Sequence, residues 1–350
     1  MKIDQGQSDF VQFSIHKKII EEIKASLSER PVSIRFLAGR TGAGKTWTMS
    51  RIWREAESWH NDESKTIVIG LPSIGTRNYA EMAFVNGILE SVHNAQSDTC
   101  RSLLSELSKL KSKKLDKREE YVLTALLNPD SLSDLIDAGS KLPKIGDISP
   151  PTRSAAEGAF PLFMGFLSLC KKSGFDSVLI LFDEAETLFT TYGRKSIILF
   201  SNFLRKVYDE REKPDPSYPS LQILIAGTYE VLERVSPNLV GIQSAAGSVV
   251  EALQRRLSPP IVLMPPSNKE VLEIASYRIG EHRKKELNQP FIPYDEDAIQ
   301  FMWGSSGGSI GGFCLGLERM YEIAKAQGSE RIQKTHAEMA IRERTIDLSS

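Results

Sequence analysis

Cysteine is scarce in this 350-residue sequence, and the three present, Cys100, Cys170 and Cys314, stand far apart. No C-x-x-C pair occurs, which excludes a zinc ribbon or a dithiol redox motif and fits reduced thiols. The five histidines, His16, His60, His93, His282 and His336, show no metal-ligand spacing. Long apolar runs are missing too: nothing approaches the roughly 20 residues that a membrane span needs. "MKIDQGQSDF" lacks the apolar centre of a signal peptide, so a cytoplasmic protein with no membrane partner is expected. Charge of one sign is not in excess, since 44 basic residues meet 45 acidic ones for a net charge of −1. Such balance gives no support for a nucleic-acid grip over the whole surface, although a local basic stripe remains compatible with it. Neither a fixed-period repeat nor a Ser-His-Asp set nor a nuclease-like carboxylate cluster is present. With 41% apolar and 25% charged residues the composition is that of an ordinary globular chain.

What the sequence does contain is "LAGRTGAGKTWTM", Leu37 to Met49, within which Gly39–Thr46 reads G-x-x-x-x-G-K-T. The run before it, "VSIRFLAG", is apolar and β-branched, and a helical pattern follows it to about Trp59. Strand, glycine-rich loop and helix in that order give the motif meaning. The glycines let backbone N–H groups turn inward around phosphate oxygens, and the helix dipole adds to the pull on an anion. The phosphate-binding stretch is therefore Gly39, Arg40, Thr41, Gly42, Ala43, Gly44, Lys45, Thr46 and Trp47. Lys45 is placed to reach the β- and γ-phosphates of ATP, and the Thr46 hydroxyl to hold Mg²⁺. A dinucleotide fingerprint is the rival reading, but G-x-G-x-x-G is not spelled here. A second signal agrees: "SVLILFDEAE" (177–186) is a buried strand ending in acids. Asp183 fits the Mg²⁺ sphere, and Glu184 is the natural base to polarise the attacking water, with Glu186 as the weaker candidate.

Further strands are expected at "KTIVIGL" (65–71), "LQILIAGT" (221–228) and "PPIVLM" (259–264), alternating with helical patterns at 11–29 and 77–92. The spacing predicts an α/β fold, a five-stranded parallel sheet with helices on both faces. Residues 94–160 interrupt the alternation and read as an inserted helical subdomain. Its middle, "SKLKSKKLDKREE" (108–120), is charged and helical in pattern, and the basic run 109–118 within it is expected to be a solvated helix face. From 265 to 350 helical patterns continue without a strand and read as a helical lid after an ATPase core of 1–264. Trp47, Trp53 and Trp59 lie six apart on the helix after the loop, a spacing that does not give one face, so one is expected to be partly exposed.

These motifs resemble the AAA+ P-loop ATPases, and the small-residue turn "SSGGSIGG" within the lid pattern resembles the initiator and loader clade of that family. In that family the residue that ends the strand of "ILIAGT" sits between the acids and the γ-phosphate, which implies a positioning role for Thr228. The segment "EALQRRLSPPIVLMPP" resembles the region whose arginine reaches a neighbour's nucleotide, which implies that Arg255 or Arg256 acts in trans and that the chain assembles into a ring or filament. The lid departs from the pattern: its turn offers no arginine, and Arg319, about two turns on, is expected to be a surface residue. The phrases "LCKKSGFDSVLILFDEAETL", "LQILIAGTYEVLE" and "ALQRRL" are similar to ATP-binding proteins of BREX-type phage-exclusion systems and to ATPase regulators of Tn7-like transposition. The resemblance implies a Mg²⁺-dependent ATPase, either a motor acting on DNA or a switch recruiting partner proteins. A protein that binds nucleotide without turning it over is the third reading, and Glu184 argues against it.

Overall fold

A computed structural model describes residues 14–59, 65–71, 80–110, 114–128, 155–187, 193–228, 253, 255–281, 291 and 293–347. Five strands are found there: β1 (Val32–Ala38), β2 (Thr66–Leu71), β3 (Ser177–Phe182), β4 (Ser220–Gly227) and β5 (Ile261–Val262). They form one sheet in the order β2-β3-β4-β1-β5, so the five-stranded parallel sheet expected from the alternation is present. Every residue of β3 is buried, and all but the first of β4. A strand whose alternate side chains are all buried has both faces covered, the condition of parallel sheets flanked by helices.

The helices before and between the strands are α1 (Ser14–Glu29), α2 (Lys45–Glu57), α3 (Ala80–His93), α4 (Asp98–Lys109), α5 (Lys117–Leu127), α6 (Ala155–Lys172) and α7 (Gly193–Arg211). The i, i+3, i+4 apolar spacing of α1 is used as written: Ile19, Ile20, Ile23 and Leu27 are buried. Trp53 and Trp59 are buried while Trp47 is half-buried, as the six-residue spacing implied. Trp53 packs against β2 at Gly70, where a Cβ would stand 2.0 Å from its ring. Phe84 of α3 is the hub of the core, with ring centroids of Phe163, Phe182, Phe200 and Phe203 between 5.5 and 6.4 Å away. Edge-on contacts of this kind add about 0.5–1.5 kcal/mol each beyond area burial.

The described part of the 94–160 stretch is built into the same core. Cys100, Leu103 and Leu107 of α4 and Val122, Leu123 and Leu126 of α5 join one hydrophobic cluster with Ile67, Ile69 and Phe84. Burial pushes the Cys100 thiol up to about 11 and raises Cys170 as well, so these are packing residues rather than nucleophiles. Nor is the charged run wholly solvated. Asp116 caps α5 in a capping box with Glu119, and the buried Glu119 carboxylate also accepts from Ser168 Oγ at 2.6 Å and Lys172 Nζ at 2.5 Å. The proline-rich stretch after it lies outside the described residues.

Glu81, in the first turn of α3, is 1% exposed, and among the described residues neither carboxylate oxygen has a hydrogen-bond partner in another residue. Burial raises its pKa, and only its own backbone N–H opposes the shift. The folded state therefore holds this proton above the pH at which the unfolded chain loses it. The sign follows: stability falls as pH rises through that window, and the charged form is a net cost at neutral pH. Glu81→Gln is expected to raise the thermal midpoint by about 2–5 °C at pH 7. Calorimetry at pH 7 and near pH 4 checks it, since the gain must shrink at the lower pH.

The chain divides into two compact units. One holds Lys18–Ala38 and Thr46–Ile261, with the sheet and its helices. The other holds Gly39–Lys45 with the chain from Val262. Its helices are α8 (Asn268–Glu281), α9 (Glu296–Ser305), α10 (Ile310–Ala326) and α11 (Lys334–Asp347). Phe313, Leu317 and Met320 of α10 and Ala298, Ile299 and Met302 of α9 are among its buried side chains. Among the described residues no helix is long and apolar enough to cross a membrane.

Candidate functional site

Parallel strands all end at one edge of a sheet, and ligands of open α/β folds sit outside that edge. The strand order decides which residues meet there. β4 lies between β1 and β3, pairing Ala38 with Gly227 on one side and Phe182 with Ile225 on the other. Thr228, the residue after β4, thus lies just past the end of β1 and two residues beyond the level of Asp183, the residue after β3. Thr46, the second residue of α2, follows β1 by the loop Gly39–Lys45. The sheet unit therefore brings Thr46, Asp183, Glu184 and Thr228 to the same edge.

The turn after β3 has a geometry that no sequence pattern announces. Asp183 continues the ladder to β2 through its N–H to Leu71 O at 2.8 Å, whereas the Ala185 N–H bonds to Ala226 O of β4 at 3.0 Å. The chain crosses from one neighbour strand to the other at Glu184, and it does so with φ +51°. A non-glycine residue in this left-handed region costs about 1 kcal/mol or more and recurs at functional sites. The Asp183 carboxylate, 6% exposed, accepts the Glu184 N–H at 2.9 Å. The Glu184 side chain is exposed. One carboxylate is thereby fixed and sunk in the sheet edge, and the next is turned out to solvent.

In the loop, Gly42 and Gly44 have φ of +78° and +86°, values that side chains with a Cβ adopt only under strain. Left-handed residues alternating with right-handed ones point successive N–H groups to one side and form an anion-binding concavity. Ala43 N–H closes a turn on Arg40 O at 3.0 Å. Gly39 is confined, because a Cβ there would stand 3.1 Å from the Ala43 Cβ and 3.2 Å from the Leu263 Cβ. Lys45 Nζ donates to Gly39 O at 3.1 Å and Arg40 O at 3.2 Å. Arg40, Thr41 and Thr46 are exposed. These donors suit a polyphosphate. A hydroxyl on Thr46 and a carboxylate on Asp183 also suit Mg²⁺, which takes hard oxygens, keeps several waters and needs only one or two protein ligands.

Arg255 and Arg256 stand elsewhere. Ser258 N–H bonds to Ile34 O at 2.9 Å, and the Ser258 and Ser33 hydroxyls are 3.0 Å apart, which pins this segment to the start of β1. Arg256 Nε donates to Asp209 Oδ1 near the end of α7, while Arg255 is exposed. Both arginines therefore lie at the edge where the strands begin, opposite Thr46, Asp183 and Thr228.

In the lid unit, Arg319 is a surface residue as expected, bonded to Glu343 Oε2 at 2.8 Å and Glu322 Oε2 at 2.6 Å. A contact the sequence did not disclose joins the loop to α10: Ile310 N–H donates to Gly42 O at 2.7 Å. "SSGGSIGG" signalled a turn, but not what the turn would meet.

No protein-family model and no curated protein sequence matches the chain. Solved structures match it in fold. The ADP form of the ORC2 protein of Aeropyrum pernix has a TM-score of 0.57 at 11% identity, with 98% of this chain and 71% of that chain covered. The ADPNP–ADP form of the same protein gives 0.55 at 11% identity, covering 96% and 68%. At such identity the likeness is one of fold: this chain shares the α/β architecture of a protein solved with adenine nucleotides.

Proposed function

We propose that the chain is an ATPase of the AAA+ type that works as an oligomeric, nucleotide-controlled switch. The observation that carries this reading is the convergence at one sheet edge of Thr46, Asp183, Glu184 and Thr228, next in sequence to a loop whose glycines adopt left-handed conformations. Backbone N–H groups of Gly39–Lys45 and the Lys45 ammonium bind the β- and γ-phosphates. Thr46 and Asp183 hold Mg²⁺, which neutralises phosphate charge when bound. Glu184, turned outward by its backbone, polarises the attacking water, and Thr228 orients it between the acids and the γ-phosphate. Arg255 or Arg256 serves the site of a neighbouring copy in a ring or filament.

The fold likeness to a protein solved with adenine nucleotides supports the nucleotide reading, and the resemblance to phage-exclusion and transposition ATPases supports a role in a DNA-related process. Net charge of −1 favours a switch that recruits partner proteins over a motor that grips DNA over its whole surface. A switch is expected to hydrolyse slowly and to be indifferent to added duplex, whereas a motor is stimulated by it.

The test of the site is Lys45→Ala. Losing one charge-assisted contact of about 1.5–3 kcal/mol weakens ATP binding about 10- to 100-fold. Titration of a fluorescent ATP analogue with Mg²⁺ measures it. Unchanged affinity in a folded Lys45→Ala protein removes the nucleotide site from this loop.

A further inference from the structure

The start of α10 rests on the phosphate loop through three contacts in one compact unit. Ile310 N–H donates to Gly42 O at 2.7 Å. Ser309 sits directly on Gly42, where a Cβ would stand 2.0 Å from its Oγ, and Ile310 Cδ1 would stand 3.1 Å from a Cβ on Gly44. A helix begins with N–H groups that lack intrahelical partners. Here Ser309 Oγ takes that of Gly312 at 3.0 Å, and the loop takes that of Ile310.

We propose that Ile310 and Ser309 are positioning residues that couple the lid to nucleotide through the backbone of Gly42, in place of a sensing arginine. The inference rests on the nucleotide reading of the loop given above. In an anion-binding concavity the N–H groups point inward and intervening carbonyls point away. Gly42 presents such a carbonyl, and α10 receives it. Phosphate on the inside and the lid on the outside therefore favour one and the same loop conformation. Two ligands of one conformation bind with positive coupling, and the coupling is reciprocal. Arg319 is committed to Glu322 and Glu343, so the lid's response does not require it.

Ile310→Pro isolates the bond. Proline lacks the N–H and is well accepted at the first helical position. The residue before it must be extended, and Ser309 already is, at φ −89° and ψ 113°. Ile310→Val keeps the N–H, and Ser309→Asn keeps a capping side chain while adding bulk where Gly42 leaves no room. Binding of AMP-PNP with Mg²⁺ and hydrogen exchange of the peptide 313–326 are read on the full chain.

In the unsubstituted protein the analogue is expected to slow exchange of that peptide by about fivefold or more. Ile310→Pro and Ser309→Asn are expected to lose that protection and, by reciprocity, to bind the analogue weaker by a similar factor. Ile310→Val retains both. Full protection in Ile310→Pro and Ser309→Asn, or none in an unsubstituted protein that binds the analogue, overturns the coupling and leaves the nucleotide site standing. Absence of binding in the unsubstituted protein overturns the site itself, and the coupling with it.

Discussion

Glu184→Gln is expected to lower kcat for ATP hydrolysis by about 10²- to 10⁴-fold, the ordinary loss for a general base, while ATP affinity changes by no more than about twofold. The expectation comes from the turn rather than from the motif alone. Asp183 is buried and its carboxylate accepts the neighbouring amide, so it is committed at the sheet edge. Glu184 is exposed and held with φ +51°. Glutamine matches glutamate in shape and keeps the backbone N–H that bonds Asp183, so the substitution removes basicity without disturbing the turn. Glu186 is half-buried and sits just past this turn, and Glu186→Gln is expected to leave the rate within about twofold. Single-turnover hydrolysis beside nucleotide titration separates rate from affinity. A Glu184→Gln protein with most of its activity moves the base elsewhere, and loss of activity in Glu186→Gln names the place.

The sheet was legible because its information is local. "VLILF" and "ILIA" are apolar at every position, and only a strand covered on both faces tolerates that. The order of the strands was not read from the sequence, because pairing joins segments as far apart as Val32 and Leu221. Other features depend on residues far apart in sequence. The left-handed turn at Glu184 arises because Asp183 pairs toward Leu71 and Ala185 toward Ala226, and no single stretch states both partners. Glu119 reads as part of a charged helix face until Lys172, 53 positions later, arrives beside it. The small residues of "SSGGSIGG" announce a turn but not that Gly42 is what it meets. Arg255 and Arg256 are adjacent in sequence, and only the fold shows one of them tied to Asp209.

Arg255→Ala is expected to reduce ATP hydrolysis by about 10³-fold or more, the range of an arginine supplied to a transferring phosphoryl group. Arg256→Ala is expected to cost far less, because Arg256 is half-buried and paired with Asp209, an anchoring role, whereas Arg255 is exposed. On the proposed reading neither serves its own site. The segment is pinned at Ile34 near the start of β1, and the four residues from there to Ala38 alone span about 13 Å of strand. The mixing experiment is decisive because the two defects then lie in different subunits of one interface. Arg255→Ala and Glu184→Gln proteins are each inactive alone. Co-assembled in equal amounts, about one interface in four pairs an intact Glu184 with an intact neighbouring Arg255, so about a quarter of the activity returns. An arginine acting within its own chain gives no recovery at any ratio. Sedimentation with AMP-PNP, run on the same mixtures, distinguishes failure to assemble from failure to restore the site. If the mixtures assemble and stay inactive, the arginine does not act across the interface.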